Sequence, residues 1–371
     1  MKISCHREQL LQAFQAVASV APARSPKPVL QNVRVDATPE QVVLSATDLE
    51  IGIRYVVSGV EVSTPGQALL PVTRFGAILR EGTDEQLQLE ADGQGTTIRG
   101  QRSQFTLSGA NPSEFPQVAS FAEESYVEVG GRLLRELIRR TSFATDNESS
   151  RYALGGVRLE LDDNALTAVG TDGRRLAKMT GPVSVHGTPS ELGQNTIVPT
   201  KAMQLIERTL GGSESDVKAT VRGNEFQVQS ERALITARLL EGRFPDWRKV
   251  FPNVSDATQI ELAVGPTLSA VRQAAIVTSD ESRGVDFHFD VGMLTLSGRA
   301  AEVGQARVEL PIGYDGPELS IALDPRFVVD FLKVIDADKT FHMELQDSEA
   351  AAVCKTDDGY GYVIMPLARD R

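Results

Sequence analysis

Apolar residues Leu10, Leu11, Phe14 and Val17 fall on one face of a 3.6-residue period, which predicts a helix over residues 7–17. The same spacing predicts helices over 72–81, 132–141, 200–210, 268–278 and 325–335. Between them the apolar runs are short and suit strands. In the first third these runs are Lys2 to Cys5, Val29 to Val35, Val42 to Ala46, Gly52 to Val57, Gln67 to Leu70, Gln86 to Leu89, Thr96 to Arg99 and Gln104 to Leu107. Gly93-Gln94-Gly95 and Asp162-Asp163-Asn164 have the composition of hairpin turns. Strand, helix, strands occurs twice in each third of the chain. That order predicts an α+β fold with two helices over antiparallel sheets in each third.

The pattern also repeats at long range. Leu70-Pro71-Val72-Thr73-Arg74-Phe75 is echoed by Val198-Pro199-Thr200-Lys201-Ala202-Met203 and by Leu323-Asp324-Pro325-Arg326-Phe327-Val328. The three prolines are 128 and 126 residues apart. Thr47-Asp48 returns 124 residues on as Thr171-Asp172, and Phe115-Pro116 returns 129 residues on as Phe244-Pro245. One pair could recur by chance, but several markers in one order at one period indicate three similar tandem domains. Their expected limits are 1–125, 126–253 and 254–371, and a chain of 371 residues gives each enough length for its own core.

Charge changes the picture. The predicted helices hold twelve basic residues: Arg7, Arg74, Arg80, Arg132, Arg135, Arg139, Arg140, Lys201, Arg208, Arg272, Arg326 and Lys333. Against them stand Glu8, Glu81, Glu136, Glu207 and Asp330, in a chain of net charge −12. Arg132, Arg135 and Arg139 share one helical face, opposite Leu134, Leu137 and Ile138, and Lys201, Gln204 and Arg208 repeat the spacing. A solvated charged face is ordinary on one helix. Basic stripes on helix after helix in an acidic chain predict a partitioned surface, with one side attracting a polyanion.

Other chemistry is sparse. No Gly-rich loop ends in a P-loop Lys-Ser or Lys-Thr, and His6, His186, His288 and His342 are isolated from metal-ligand partners. His288 reads as a strand residue with a satisfied ring. No catalytic group, metal site or cofactor is expected. Cys5 and Cys354 show no pairing pattern, there is no signal-peptide run and no stretch long enough to span a membrane, so a cytoplasmic protein is expected. An aromatic content of 6% does not favour a base-stacking platform.

Several motifs together resemble the bacterial β sliding clamp family, the processivity subunit of the DNA polymerase III holoenzyme. They are Thr47-Asp48-Leu49-Glu50, Arg151-Tyr152 with Leu154-Gly155-Gly156, Thr171-Asp172-Gly173-Arg174-Arg175-Leu176, Arg243-Phe244-Pro245-Asp246-Trp247, Ser282-Arg283-Gly284-Val285 and Tyr362-Val363-Ile364-Met365-Pro366-Leu367. The resemblance covers essentially the whole chain. It implies a head-to-tail homodimer closed into a ring around double-stranded DNA, which it contacts without regard to sequence. Helices would line the hole, with Arg24, Arg74, Arg80, Arg132, Arg135, Arg139, Tyr152, Lys201, Arg208, Arg272, Arg326 and Lys333 facing the DNA. It implies no enzymatic activity of the chain itself.

The resemblance also implies a hydrophobic groove between the second and third domains. There the DNA polymerase III alpha subunit, the clamp loader complex and other polymerases and repair proteins would dock linear motifs. The matching positions are Leu154, Thr171, Gly173, Arg174, Arg175, Leu176, Pro245, Lys249, Val250, Val363, Met365, Pro366 and Leu367. Without the resemblance, Leu154, Leu176 and Val363 would read as plain core. Three departures from the family pattern stand out: Lys249 where an arginine is usual, Ala153 in place of an aromatic, and the tail Ala368-Arg369-Asp370-Arg371. For ring closure, Arg99 and Arg102 would face Glu302 and Glu309 of another copy. Two other readings are a hydrolase using Asp48 and Asp172 as metal ligands and a scaffold that binds peptides only.

Overall fold

The computed structural model describes residues 1–146, 153–189, 192–212, 214–251, 257–279 and 283–368. Arg151, Tyr152, Ser282 and the tail residues Arg369, Asp370 and Arg371 lie outside the described residues. Among those described, all strand pairings within the four sheets are antiparallel.

One compact unit comprises Met1–Arg132, Val183–Leu192 and Leu205–Leu239. It holds a five-stranded sheet and a nine-stranded sheet. The helix Arg7–Ala18 buries Leu10, Ala13, Phe14 and Val17, so the apolar spacing in the sequence does mark its inner face. It packs on the helix Val72–Glu81, where Phe14 meets Phe75 edge-on at 4.9 Å between ring centres. In the nine-stranded sheet, Ile51–Val57 from the first sequence repeat pairs with Ala233–Arg238 from the second, Gly52 opposite Thr236.

The second unit comprises Leu133–Pro182, Gly193–Gln204 and Leu240–Arg371. It holds an eight-stranded and a four-stranded sheet. The eight-stranded sheet repeats the device: Arg175–Pro182 from the second sequence repeat pairs with Tyr360–Ile364 from the third, Leu176 opposite Val363. The helices Val264–Ala274 and Pro325–Lys333 pack together in this unit. A continuous sheet at each junction buries backbone that would otherwise be a bare edge.

Two local expectations are corrected. The helix expected over 268–278 runs Val264–Ala274 and ends in a 3-10 turn, Ala275–Val277. Pro266 sits in the first turn, where a missing N–H leaves no bond unmade. The strand expected over 29–35 begins only at Asn32, after a 3-10 turn Pro28–Gln31. The Asn32 side chain fastens that turn by donating to the carbonyls of Pro28 (3.3 Å) and Val29 (3.1 Å).

Candidate groove and basic helix faces

The Thr-Asp repeat is one turn built twice. In the second unit it links the strands Ala165–Thr171 and Arg175–Pro182. The Thr171 hydroxyl donates to the carbonyl of Arg175 (2.6 Å) and accepts from the N–H of Gly173 (3.1 Å). Asp172 accepts from the N–H groups of Arg174 (2.9 Å) and Arg175 (3.0 Å). In the first unit Thr47 and Asp48 make the same four bonds to Leu49, Glu50 and Ile51. Side-chain oxygens of this kind satisfy turn amides locally. Asp48 and Asp172 are therefore structural caps, and among the described residues no cluster of three or more acids, histidines or cysteines is placed to hold a metal.

Arg175 locks the second turn in place. Its guanidinium donates to Asp330 (2.7 Å), Asp172 (3.0 Å) and the carbonyl of Phe143 (2.9 Å), and lies 4.5 Å from the Phe327 ring centre. Burial alone would lower its pKa. Tyr362, Asp330 and Asp172 outweigh this and raise it, so the charge is fixed. Arg175 thus ties the strand to the helix Pro325–Lys333, and its donors are committed within the protein.

The C-terminal segment runs beside this turn. The N–H of Met365 donates to the carbonyl of Arg174, and that of Leu367 to the carbonyl of Ala322, both at 2.9 Å. Beneath lies a core of Ala153, Val169, Leu176, Ile197, Phe244, Trp247, Val353 and Val363. Leu154, Leu176 and Val363 are buried, so they form the floor and offer little surface. Thr171 is also buried, in its turn. The accessible apolar side chains are Met365 and Val250, 44% and 45% exposed, with Pro245, Pro366 and Leu367 half-buried nearby in sequence. Gly173 and Arg174 are exposed, and Lys249 is exposed and paired with Asp246 at 3.0 Å.

The sequence gives no hint of how Trp247 is held. Its indole N–H donates to buried Glu160 at 3.2 Å. Glu160 also pairs with Arg158 and Arg248, each at 2.7 Å. Arg248 lies 4.4 Å from the Trp247 ring centre, and the Lys178 ammonium stands 5.7 Å from it and 5.4 Å from that of Phe251. Burial, with help from Arg248 and Lys355, lowers the Lys178 pKa. The only available signal was the chain's single tryptophan, next to a repeated Phe-Pro.

The cations expected to face DNA, all but the loop residue Arg24 on helices, differ in how far they are committed within the chain. Arg24, Arg74, Arg80, Arg132, Arg139, Lys201, Arg208, Arg272 and Lys333 are exposed, and Arg135 is partly so. In the second unit, Arg272, Arg326 and Lys333 line one recess of about 250 Å³ between the helices Val264–Ala274 and Pro325–Lys333. Several cations from the helix count are already engaged, exposed Arg139 among them, 3.7 Å from Glu136 and donating to the Lys333 carbonyl at 3.4 Å. Arg7 donates to the carbonyls of Leu79 (2.8 Å) and Asp84 (3.0 Å). Arg140 pairs with Glu136 (2.8 Å) and Asp358 (2.6 Å). Arg326 is clamped by its helix-capping Asp324 at 2.6 Å.

The residues expected at a subunit joint lie close to two sheet edges. Gln104–Ser108 ends the five-stranded sheet and Gly304–Pro311 ends the four-stranded one. Arg99 is paired with Glu90 and Glu309 with Arg307, each at 3.0 Å, while Arg102 and Glu302 are exposed. Both edge strands are largely exposed, with Phe105 at 40%.

Family comparisons cover nearly the whole chain. Residues 1–119, 128–246 and 248–368 match the N-terminal, central and C-terminal domains of the DNA polymerase III beta subunit. The beta sliding clamp of Chlamydia muridarum is 32% identical over 99% of both chains. That of Pseudomonas putida is 31% identical over 99% of this chain and 100% of its own. The crystal structure of the DNA polymerase III subunit beta from Pseudomonas aeruginosa is 27% identical and covers 100% of both chains at a TM-score of 0.88.

Proposed function

The chain belongs to the DNA polymerase III beta subunit family, a family of DNA sliding clamps, and we propose from that premise how its own residues do a clamp's work. It is a non-catalytic processivity factor of the three-domain α+β clamp fold. In our reading two copies close head to tail into a ring around duplex DNA. The domains run 1–125, 126–253 and 254–371. The joint forms by pairing of the open edge strands Gln104–Ser108 and Gly304–Pro311, since Arg99 and Glu309 already have partners in their own chain. The chain works in the cytoplasm, in keeping with two buried, unpaired thiols, that of Cys5 pushed up to about 12 by burial.

The exposed helix cations attract phosphates without fixing on a base, as a sliding contact requires. The chain's overall acidity opposes binding elsewhere. Tethering then depends on ring opening, and a bound polymerase acts at high effective concentration.

The partners, among them the alpha subunit, the clamp loader and repair proteins, dock linear motifs on the surface made by Gly173, Arg174, Val250, Met365, Pro366 and Leu367. The observation that carries this reading is the pinned backbone of Met365 and Leu367, which holds apolar side chains beside an Arg175-locked turn. Methionine suits a surface that meets varied sequences. Retention on circular DNA after loading, measured before and after the circle is cut, tests the whole proposal. Release only on cutting is expected, and equal retention on both forms would refute the ring.

A further inference from the structure

The two junction sheets carry equivalent rows of residues that are covered very differently. In the second unit the row Arg158, Val169, Lys178 crosses three adjacent strands. Trp247 and Phe251 close over it, with the Trp247 N–H on Glu160 and Lys178 over both rings. In the first unit the matching row, 124 residues earlier, is Arg34, Ser45, Arg54, again side by side across three strands. Asp36 stands where Glu160 does and pairs with Arg34 at 2.9 Å, as Glu160 pairs with Arg158.

The cover is where the junctions differ. Counting from the repeated Phe-Pro, Val118 and Ala122 occupy the places of Trp247 and Phe251. The connector is anchored through its backbone: Arg54 donates to the Val118 carbonyl at 3.3 Å. Small side chains leave a cavity of about 710 Å³ over the row, lined also by Glu225 and by Arg222, which pairs with Glu123 at 3.4 Å. That size falls in the range of small-ligand sites. Ser45, 3% exposed and lining the cavity, has a hydroxyl with no hydrogen-bond partner. Arg54 forms no ion pair among the described residues. A buried hydroxyl with no partner is costly unless something fills the space.

We propose that this cleft in the first unit is a second docking site, which takes a tryptophan side chain flanked by acidic residues from a partner protein. The chain itself shows how such a ring is held. The incoming indole N–H donates to Asp36 as Trp247 donates to Glu160. Arg54 lies over the ring as Lys178 lies over Trp247, Ser45 takes one flanking carboxylate, and Arg222 exchanges its Glu123 partner for the other. The site is separate from the groove of the second unit and does not depend on it.

The probe is a synthetic peptide of one tryptophan between two aspartates, titrated into the full-length protein by calorimetry. Binding that weakens at least tenfold when alanine replaces the tryptophan is expected. Val118→Trp supplies the missing plug and should abolish binding. Arg54→Gln should weaken it about tenfold or more, the loss of one charge-assisted contact. Lys178→Gln, at the matching position of the other junction, should leave affinity unchanged. Circular dichroism checks that each variant is folded; if Val118→Trp is not, Arg54→Gln decides alone. No binding at millimolar peptide, or binding untouched by both cleft variants, overturns the proposal.

Discussion

Replacing Arg175 by lysine tests whether this residue locks the candidate groove. Lysine keeps the charge but offers a single nitrogen in place of a planar fork. It can hold the carboxylate of Asp330 or of Asp172, and cannot also reach the Phe143 carbonyl or stack on Phe327. Two hydrogen bonds from a charged donor are lost, each worth about 1.5–3 kcal/mol when buried. Asp330 is 35% exposed and recovers water, so its share is discounted. The net cost is about 2–3 kcal/mol, confined to the elements Arg175 joins. With two compact units a single unfolding free energy is ill-defined, so the assay is hydrogen exchange resolved by peptide. Exchange should accelerate about 30- to 150-fold in residues 174–176 and in the helix Pro325–Lys333, where each 1.4 kcal/mol is tenfold. Residues 2–18, in the other unit, should be unchanged. A change below threefold at both sites, or an even acceleration along the chain, would refute the assignment.

Two further outcomes follow from the geometry. Burial pushes the Asp358 carboxyl up, but the Thr356 hydroxyl and Arg140 outweigh this and hold it below the usual range. Its stabilising effect is therefore complete above the unfolded value near about 4 and fades as pH falls through the lower folded value. Asp358→Asn should cost about 1 kcal/mol at pH 7, and its melting temperature should converge with that of the parent in strong acid; a constant gap would contradict this. The paired turns make opposite predictions for one exchange. Gly173 has φ +87°, and a Cβ added there would meet no atom within 4 Å, so Gly173→Ala should cost about 1 kcal/mol for backbone alone, while Leu49→Gly, at φ +79°, should be neutral or stabilising, each read by hydrogen exchange at its own turn.

Much of the fold was legible because apolar spacing and turn chemistry are local. The six long helices among the described residues follow from one-sided apolar periodicity, and the Thr-Asp turns from side chains that cap their own neighbours. Pairing across the chain was not legible. Arg140 meets Asp358 at a separation of 218 residues, and no spacing rule reaches that far. Leu176 and Val363 became floor because the two strands pair directly, a register fixed by residues far apart in sequence. Family resemblance points to the region of the candidate groove. It did not distinguish Arg175, whose donors are spent inward, from Arg174, which is exposed. The same blindness hid the difference between the two junctions, since Val118 and Trp247 look unrelated until the sheets set them over matching rows.

The charge bias of the helices needs the same correction. Arg7, Arg139, Arg140 and Arg326 are engaged internally, but Glu136 is consumed as well, by Arg139 and Arg140, and Asp330 by Arg175. Internal pairing removes both signs, so the remaining helix residues stay strongly cationic. Their contributions should nonetheless be unequal. Arg326 donates to Asp324 through two nitrogens, at 3.0 and 2.6 Å, and to meet a phosphate it must either break that clamp or bring the acid along. Arg272 is exposed on the neighbouring helix, in the same recess, with no ion pair among the described residues. A sliding contact is shallow and salt-sensitive, and each phosphate neutralised contributes a slope of about −0.9 in log affinity against log salt. Arg272→Gln should therefore flatten the salt dependence of binding to a short duplex by up to about one unit. Arg326→Gln should change it far less, because the charge it removes is already balanced. Equal slopes for the two variants would mean that the Asp324 clamp opens on DNA, and that static pairing does not decide which cations face the phosphates.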